Sequence, residues 1–240
     1  MNRTSLLALA VVASSIVACA TPGTKPQDMS AAGHEAAARQ EEGAATEHAA
    51  QFDPNAQSSY SNCSPSAQNR AVCWTSTVNP TSSHRKEAEQ HRSAAVAHRA
   101  ASQKLIEAEA AACGGVAEED RVQSPFSHRD DIQRVTLDDR QAERLTAKEP
   151  AGATVYFRAV PGLTQEWLQR IVDCHIARNA SMGFNVPEMP YCPLAVQAVT
   201  ARVSSVGNGF AVELRAQTPE QIAELRRRVQ VLGPVAQSTR

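Results

Sequence analysis

The sequence predicts an α+β protein in two parts, an alanine-rich antiparallel helical hairpin followed by a small β-α-β-β-α sandwich. Three observations predict this. Of the 240 residues 42 are alanine, and the alanine-rich stretches 28–50 and 81–113 contain no aromatic side chain. Alanine is the best helix former but buries little apolar area, so these stretches read as thin helices and not as a packed core. Six of the ten aromatic residues follow residue 150. There the apolar spacing switches between a period of two and a period of 3.6 in the order β-α-β-β-α. The chain is 42% hydrophobic and 20% charged with a formal net charge of −1, an ordinary soluble balance. Nothing in it favours nucleic acid or an anionic surface as a partner.

The elements follow in order. Residues 1–18 carry one cation, Arg3, then an apolar run from Leu6 to Val12 and small residues before Cys19. This is the pattern of a secretory signal peptide, and the run is too short to span a membrane. Ile16-Val17-Ala18-Cys19 resembles the lipobox of bacterial lipoproteins. The resemblance implies that Cys19 becomes the lipidated, palmitate-bearing first residue of the mature chain. With Ala20 next to it, it implies an anchor at the periplasmic face of the outer membrane. The membrane is then a partner through the lipid alone, and a second envelope protein is the expected macromolecular partner.

Residues 19–27 read as a tether, with Pro22 and Pro26 and no apolar pattern. The hairpin proper is expected over 28–113. Its first helix starts at Asp28 or Ser30 as N-cap and stops at Asp53-Pro54. Residues 51–80 are rich in Ser, Asn, Gln and Pro and show neither period, so they read as a long loop held by cysteines. Residues 81–113 form the second helix, a rod of about 50 Å that ends at Gly114-Gly115. Residues 114–150 read as a charged linker with at most a short strand over 132–137.

The α+β domain is expected over 151–235. A strand at 153–160 turns at Pro161-Gly162, and Thr164 caps a helix running to about Asn179. Alternating Val199, Ala201 and Val203, then Gly207-Asn208-Gly209, then Phe210, Val212 and Leu214 predict a β-hairpin. Thr218-Pro219-Glu220-Gln221 is a capping box opening a final helix.

Histidines recur at seven-residue intervals on both alanine-rich helices: His34, Glu41 and His48 on the first, His84, His91 and His98 on the second. Seven residues are nearly two turns, so each triplet is one stripe that drifts by about 20° per heptad. Ala38 and Ala45 follow the first stripe at +4, and Ala88 and Ala95 the second, so each helix presents small residues bordered by histidines. The stripes are expected to border an alanine seam, half-exposed and hydrogen-bonded to Glu41, Glu42 or Glu87. Facing imidazoles from His34, His48, His84, His91 and His98 also make a candidate metal site, for which copper or zinc is the natural ion. A third reading is a seam that titrates near the ordinary histidine pKa of about 6.5.

Cys19 aside, five cysteines remain, which permits two disulfides and one free thiol. Cys63 with Cys73 would staple the 51–80 loop, Cys174 with Cys192 would tie a helix end to the 189–193 segment, and Cys113 would be left over. Cys174, His175, Met182, Met189 and Cys192 also fall within nineteen residues, and thiolate, imidazole and thioether are a copper-type ligand set. Against this, His175 falls at +4 from Ile171 on an apolar helix face, the position of a core histidine. No CxxC, HExxH, GxSxG, P-loop or GxGxxG spacing is present, so no residue is assigned a catalytic role. The expected function is that of an exported, lipid-anchored envelope protein with a binding or structural role. The alternative is a periplasmic copper- or zinc-binding lipoprotein.

Overall fold

Ser30 begins the ordered architecture by capping the first helix. Its hydroxyl accepts a hydrogen bond from the Gly33 amide at 3.0 Å, and α1 runs over Ala31–Gln51 in the computed structural model. The structure describes residues 23–65, 71–138 and 151–234. The expected signal peptide, residues 1–18, and Cys19 lie outside the described residues. The second half of the expected tether does not behave as one. Residues 26–28 form a 3-10 turn in which Asp28 accepts from the Lys25 amide at 2.9 Å and Gln197 donates to the Gln27 carbonyl at 2.9 Å. Pro26 presets the turn and the Asp28 carboxylate closes it.

The chain returns along α1 through α2, Ser82–Ala112, antiparallel to it. The seam is alanine: Ala38, Ala45, Ala88, Ala94, Ala95 and Ala101 are all buried. A methyl group at each contact lets the two backbones approach closely, which is why this hairpin needs no large apolar side chain. At the tip, Thr81 accepts a hydrogen bond from the Asp53 amide at 3.0 Å and so ties the end of α1 to the start of α2.

Between the helices the expected loop is a β-ribbon. Strands β1 (Ser58–Pro65) and β2 (Ala71–Val78) pair antiparallel, with Cys63 opposite Cys73 and a disulfide between them. The pairing puts Tyr60, Val72, Trp74 and Val78 on one face, all exposed, and Ser59, Ser61, Thr75 and Thr77 on the other. Neither face is covered, and the apolar face is interrupted by Asn62, Ser64 and Ser76, so the alternation is too broken for the sequence to reveal the strands.

The 114–150 linker is also corrected. It contains α3 (Glu118–Val122), two short 3-10 turns (Pro125–Ser127 and Arg129–Asp131) and β3 (Ile132–Leu137), with Phe126 fully buried in the core of the domain that follows. Strand β3 pairs with β4 (Ala151–Arg158), so the C-terminal domain reaches back well before residue 151. Helix α4 (Gln165–Ser181), strands β5 (Thr200–Val206) and β6 (Gly209–Ala216), and helix α5 (Pro219–Gln230) complete it. The sheet is antiparallel in the order β3-β4-β6-β5. The β5–β6 turn holds Gly207 at φ 59°, a conformation that glycine adopts without strain. Both helices lie on one face, where Leu168 and Val172 of α4 and Leu225 and Val229 of α5 meet Val155, Val212 and Leu214 of the sheet. The α+β expectation and the β-α-β-β-α order within it hold, with one strand added at the sheet edge.

The hairpin is fastened to this domain at the end remote from its tip. Cys113, at the end of α2, is disulfide-bonded to Cys174 of α4. Arg178 pairs with Glu109 at 3.4 Å, and Ser181 donates to the same carboxylate. Gly183, at φ 70°, lies so close to Ser30 that a Cβ there would stand 2.9 Å from the Ser30 nitrogen. The expected Cys174–Cys192 bond is therefore wrong, and Cys113 is not the leftover thiol. Cys174 sits one turn from Ile171 on the face of α4 that meets Cys113 and Val116, whereas Cys192 is buried in the separate main core. Among the described residues no helix is long and apolar enough to cross a membrane.

Candidate metal centre

The two histidine stripes meet in register. His34 faces His98, Glu41 faces His91 and His48 faces His84, one heptad per layer and so roughly 10 Å between layers along the helices. An antiparallel hairpin produces this only if both stripes border the same seam, which the alanines at +4 ensure.

The layer nearest the domain is closed. His34 and His98 are 0% and 6% exposed, not half-exposed as expected, because the 26–28 turn and the junction with α4 cover this end. Their Nδ1 atoms lie 3.1 Å apart, and His34 Nε2 lies 3.4 Å from the Pro26 carbonyl oxygen. One arrangement of protons satisfies all three atoms: His34 donates from Nε2 to Pro26, and His98 donates from Nδ1 to His34. Ser102, one turn beyond His98, buries its hydroxyl without a hydrogen-bond partner among the described residues.

In the middle layer His91 Nδ1 stands 2.6 Å from Glu41 Oε2. The His91 ring is nearly parallel to that of His48, at 8° and 5.4 Å between centroids. Of the three expected carboxylate partners, Glu41 and Glu87 do meet histidines, and Glu42 instead binds Arg99 at 2.6 Å. That contact with Arg99 holds the Glu42 carboxyl below its usual range.

The outer layer, beside the base of the ribbon, brings three donor atoms together. His48 Nδ1 is 3.2 Å from His84 Nδ1 and 2.9 Å from Glu87 Oε2, and His84 Nδ1 is 3.5 Å from the same oxygen. All three lie within 4.8 Å of one another, and their side chains are 28%, 31% and 42% exposed. A tetrahedral ion with ligands at about 2.0–2.1 Å needs donor atoms roughly 3.3 Å apart. The observed triangle spans that edge length. It offers three positions to an ion and leaves a fourth facing solvent.

The second candidate set is not assembled. Cys174 is committed to its disulfide with Cys113 and cannot act as a thiolate ligand. His175 is buried and donates from Nε2 to the carbonyls of Asp120 and Gln123, both at 3.0 Å. Burial pushes its pKa down. It is the core histidine its helix position suggested. Cys192 is a free, buried thiol 3.2 Å from the Ser124 hydroxyl, and burial pushes its pKa up. Met182 and Met189 pack against the main core. The sequence lacked any signal for the Cys113–Cys174 pairing, since their separation of 61 residues is closed only by the docking of α2 on α4.

Comparison with protein-family models, with curated proteins and with solved structures found no match for the chain.

Proposed function

We propose that the protein is an exported, lipid-anchored envelope protein of the periplasmic side whose helical hairpin binds a divalent transition-metal ion at His48, His84 and Glu87. The observation that carries the metal reading is the convergence of two imidazole nitrogens and one carboxylate oxygen within 4.8 Å. Two nitrogens and one oxygen suit zinc or copper(II) and disfavour the softer copper(I). The half-exposed position and the open fourth site suit an ion that is taken up and released. The lipobox resemblance at Cys19 supports the address. The role is binding, and the site's residues are ligands in it.

Calorimetric titration of the detergent-solubilised mature protein with Zn2+ tests the reading. One ion per chain is expected, with affinity falling by at least about 100-fold when His48 and His84 are both replaced by alanine. Binding well below one ion per chain, or binding that survives the double replacement, overturns it.

A further inference from the structure

A cavity of about 320 Å3 opens on the C-terminal domain, far along the chain from the histidine layers. It lies where α3 and the two 3-10 turns that follow cross α4 and the end of β4. Its volume stands at the lower end of the range of small-molecule sites. Phe157, Leu168 and Ile171 make an apolar, buried floor, and Trp167 stands half-buried at the wall. Asp120 and Asp131 line the same cavity, and no Lys or Arg does.

The two carboxylates differ. Asp131 Oδ1 is held by Arg158 through Nε at 2.8 Å and Nη2 at 2.7 Å. Asp120 makes no side-chain hydrogen bond or ion pair among the described residues, although its backbone carbonyl accepts from His175. The cavity thus combines a flat aromatic wall, a hydrocarbon floor, the polar side chains of Gln123 and His128, and one carboxylate, Asp120, with no side-chain partner among the described residues. An apolar cavity of this size with a few convergent polar groups selects a ligand by the charge those groups leave unmatched.

The geometry points to a binding site for a small organic cation, a primary amine carried on an aromatic ring or short alkyl body. The apolar body sits on Phe157, Leu168 and Ile171. The ammonium group is directed to Asp120, with the Trp167 face available to it as a cation–π partner. Ile171 and Trp167 also pack on the cluster around the Cys113–Cys174 bond, so a bound ligand supports the junction between domain and hairpin.

Trp74 and Trp167 are the two tryptophans of the chain, so Trp74→Phe leaves Trp167 as the only indole reporter. The full-length protein with this replacement is titrated with phenethylamine and, separately, with its uncharged analogue 2-phenylethanol, following Trp167 fluorescence. A saturable change with phenethylamine is expected, with Kd between about 10 μM and 1 mM for so small a ligand, and at least about tenfold weaker binding of the alcohol. Asp120→Asn should weaken the amine about tenfold and leave the alcohol unchanged, an outcome that a collapsed pocket does not give. No saturable change, equal affinity for amine and alcohol, or an amine affinity indifferent to Asp120→Asn each overturns the assignment. None of these readings depends on the metal site.

Discussion

His175 shows how much a single buried ring can commit. Its Nε2–H is shared between two carbonyls of the 120–123 segment, so it pins α3 to α4 as long as Nε2 carries a proton. Burial lowers its pKa from the ordinary 6.5. The unfolded chain therefore takes up a proton near pH 6.5 that the folded chain resists. Below 6.5 the unfolded state binds more protons, so this group's contribution is present above 6.5 and is lost as pH falls toward the folded pKa. Urea denaturation from pH 7.5 to 5 should show stability declining on the acid side, and His175→Gln should flatten that decline. An unchanged slope in the variant would assign the acid sensitivity to other groups. Cys192 is the same kind of residue in another guise: buried beside Ser124, its thiol is raised by desolvation and is poorly suited to ligate or react.

At the scale of elements, the α1–α2 hairpin depends on the size of its seam residues. Ala38 is 0% exposed and lies one turn from the closed His34–His98 layer. Ala38→Leu should destabilise the protein by about 1–3 kcal/mol, because added methylenes force the two backbones apart. The drop in denaturation midpoint measures this, and Ala36→Leu on the exposed side of the same helix should change little. The same spacing sets the site, since moving the helices apart widens the His48–His84 separation of 3.2 Å. The β1–β2 ribbon follows a different logic. An isolated two-stranded ribbon is marginal in water, and here the Cys63–Cys73 bond constrains it while Tyr60 and Trp74 remain exposed.

For the whole molecule, the decisive contact is between the end of α2 and α4. The Cys113–Cys174 bond closes a long loop at the root of the hairpin. Replacing both cysteines by serine should cost about 2–4 kcal/mol, read from equilibrium denaturation of the oxidised protein. The native protein should show no rapidly reacting thiol from Cys192, which becomes titratable on unfolding. Rapid labelling traced to Cys192 in the native fold would contradict its buried position.

Periodicity in the sequence by itself determined α1, α2, α4 and α5, the strands β4 to β6, and the helix face that carries each histidine stripe. Heptad spacing places His34, Glu41 and His48 on one face whatever covers that face, and the alanines beside them name the partner surface. Tertiary structure alone decided what no local pattern encodes. It closed Cys113 onto Cys174 and left Cys192 free, because pairing depends on which helix faces meet across 61 residues. It paired residues 58–65 with 71–78 as a ribbon with two open faces, whose apolar side is broken by Asn62, Ser64 and Ser76. It drew residues 118–137 into the C-terminal domain and, in folding them across α4, enclosed the cavity at Trp167. A repeating pattern specifies the face of an element, and only packing specifies what that face touches.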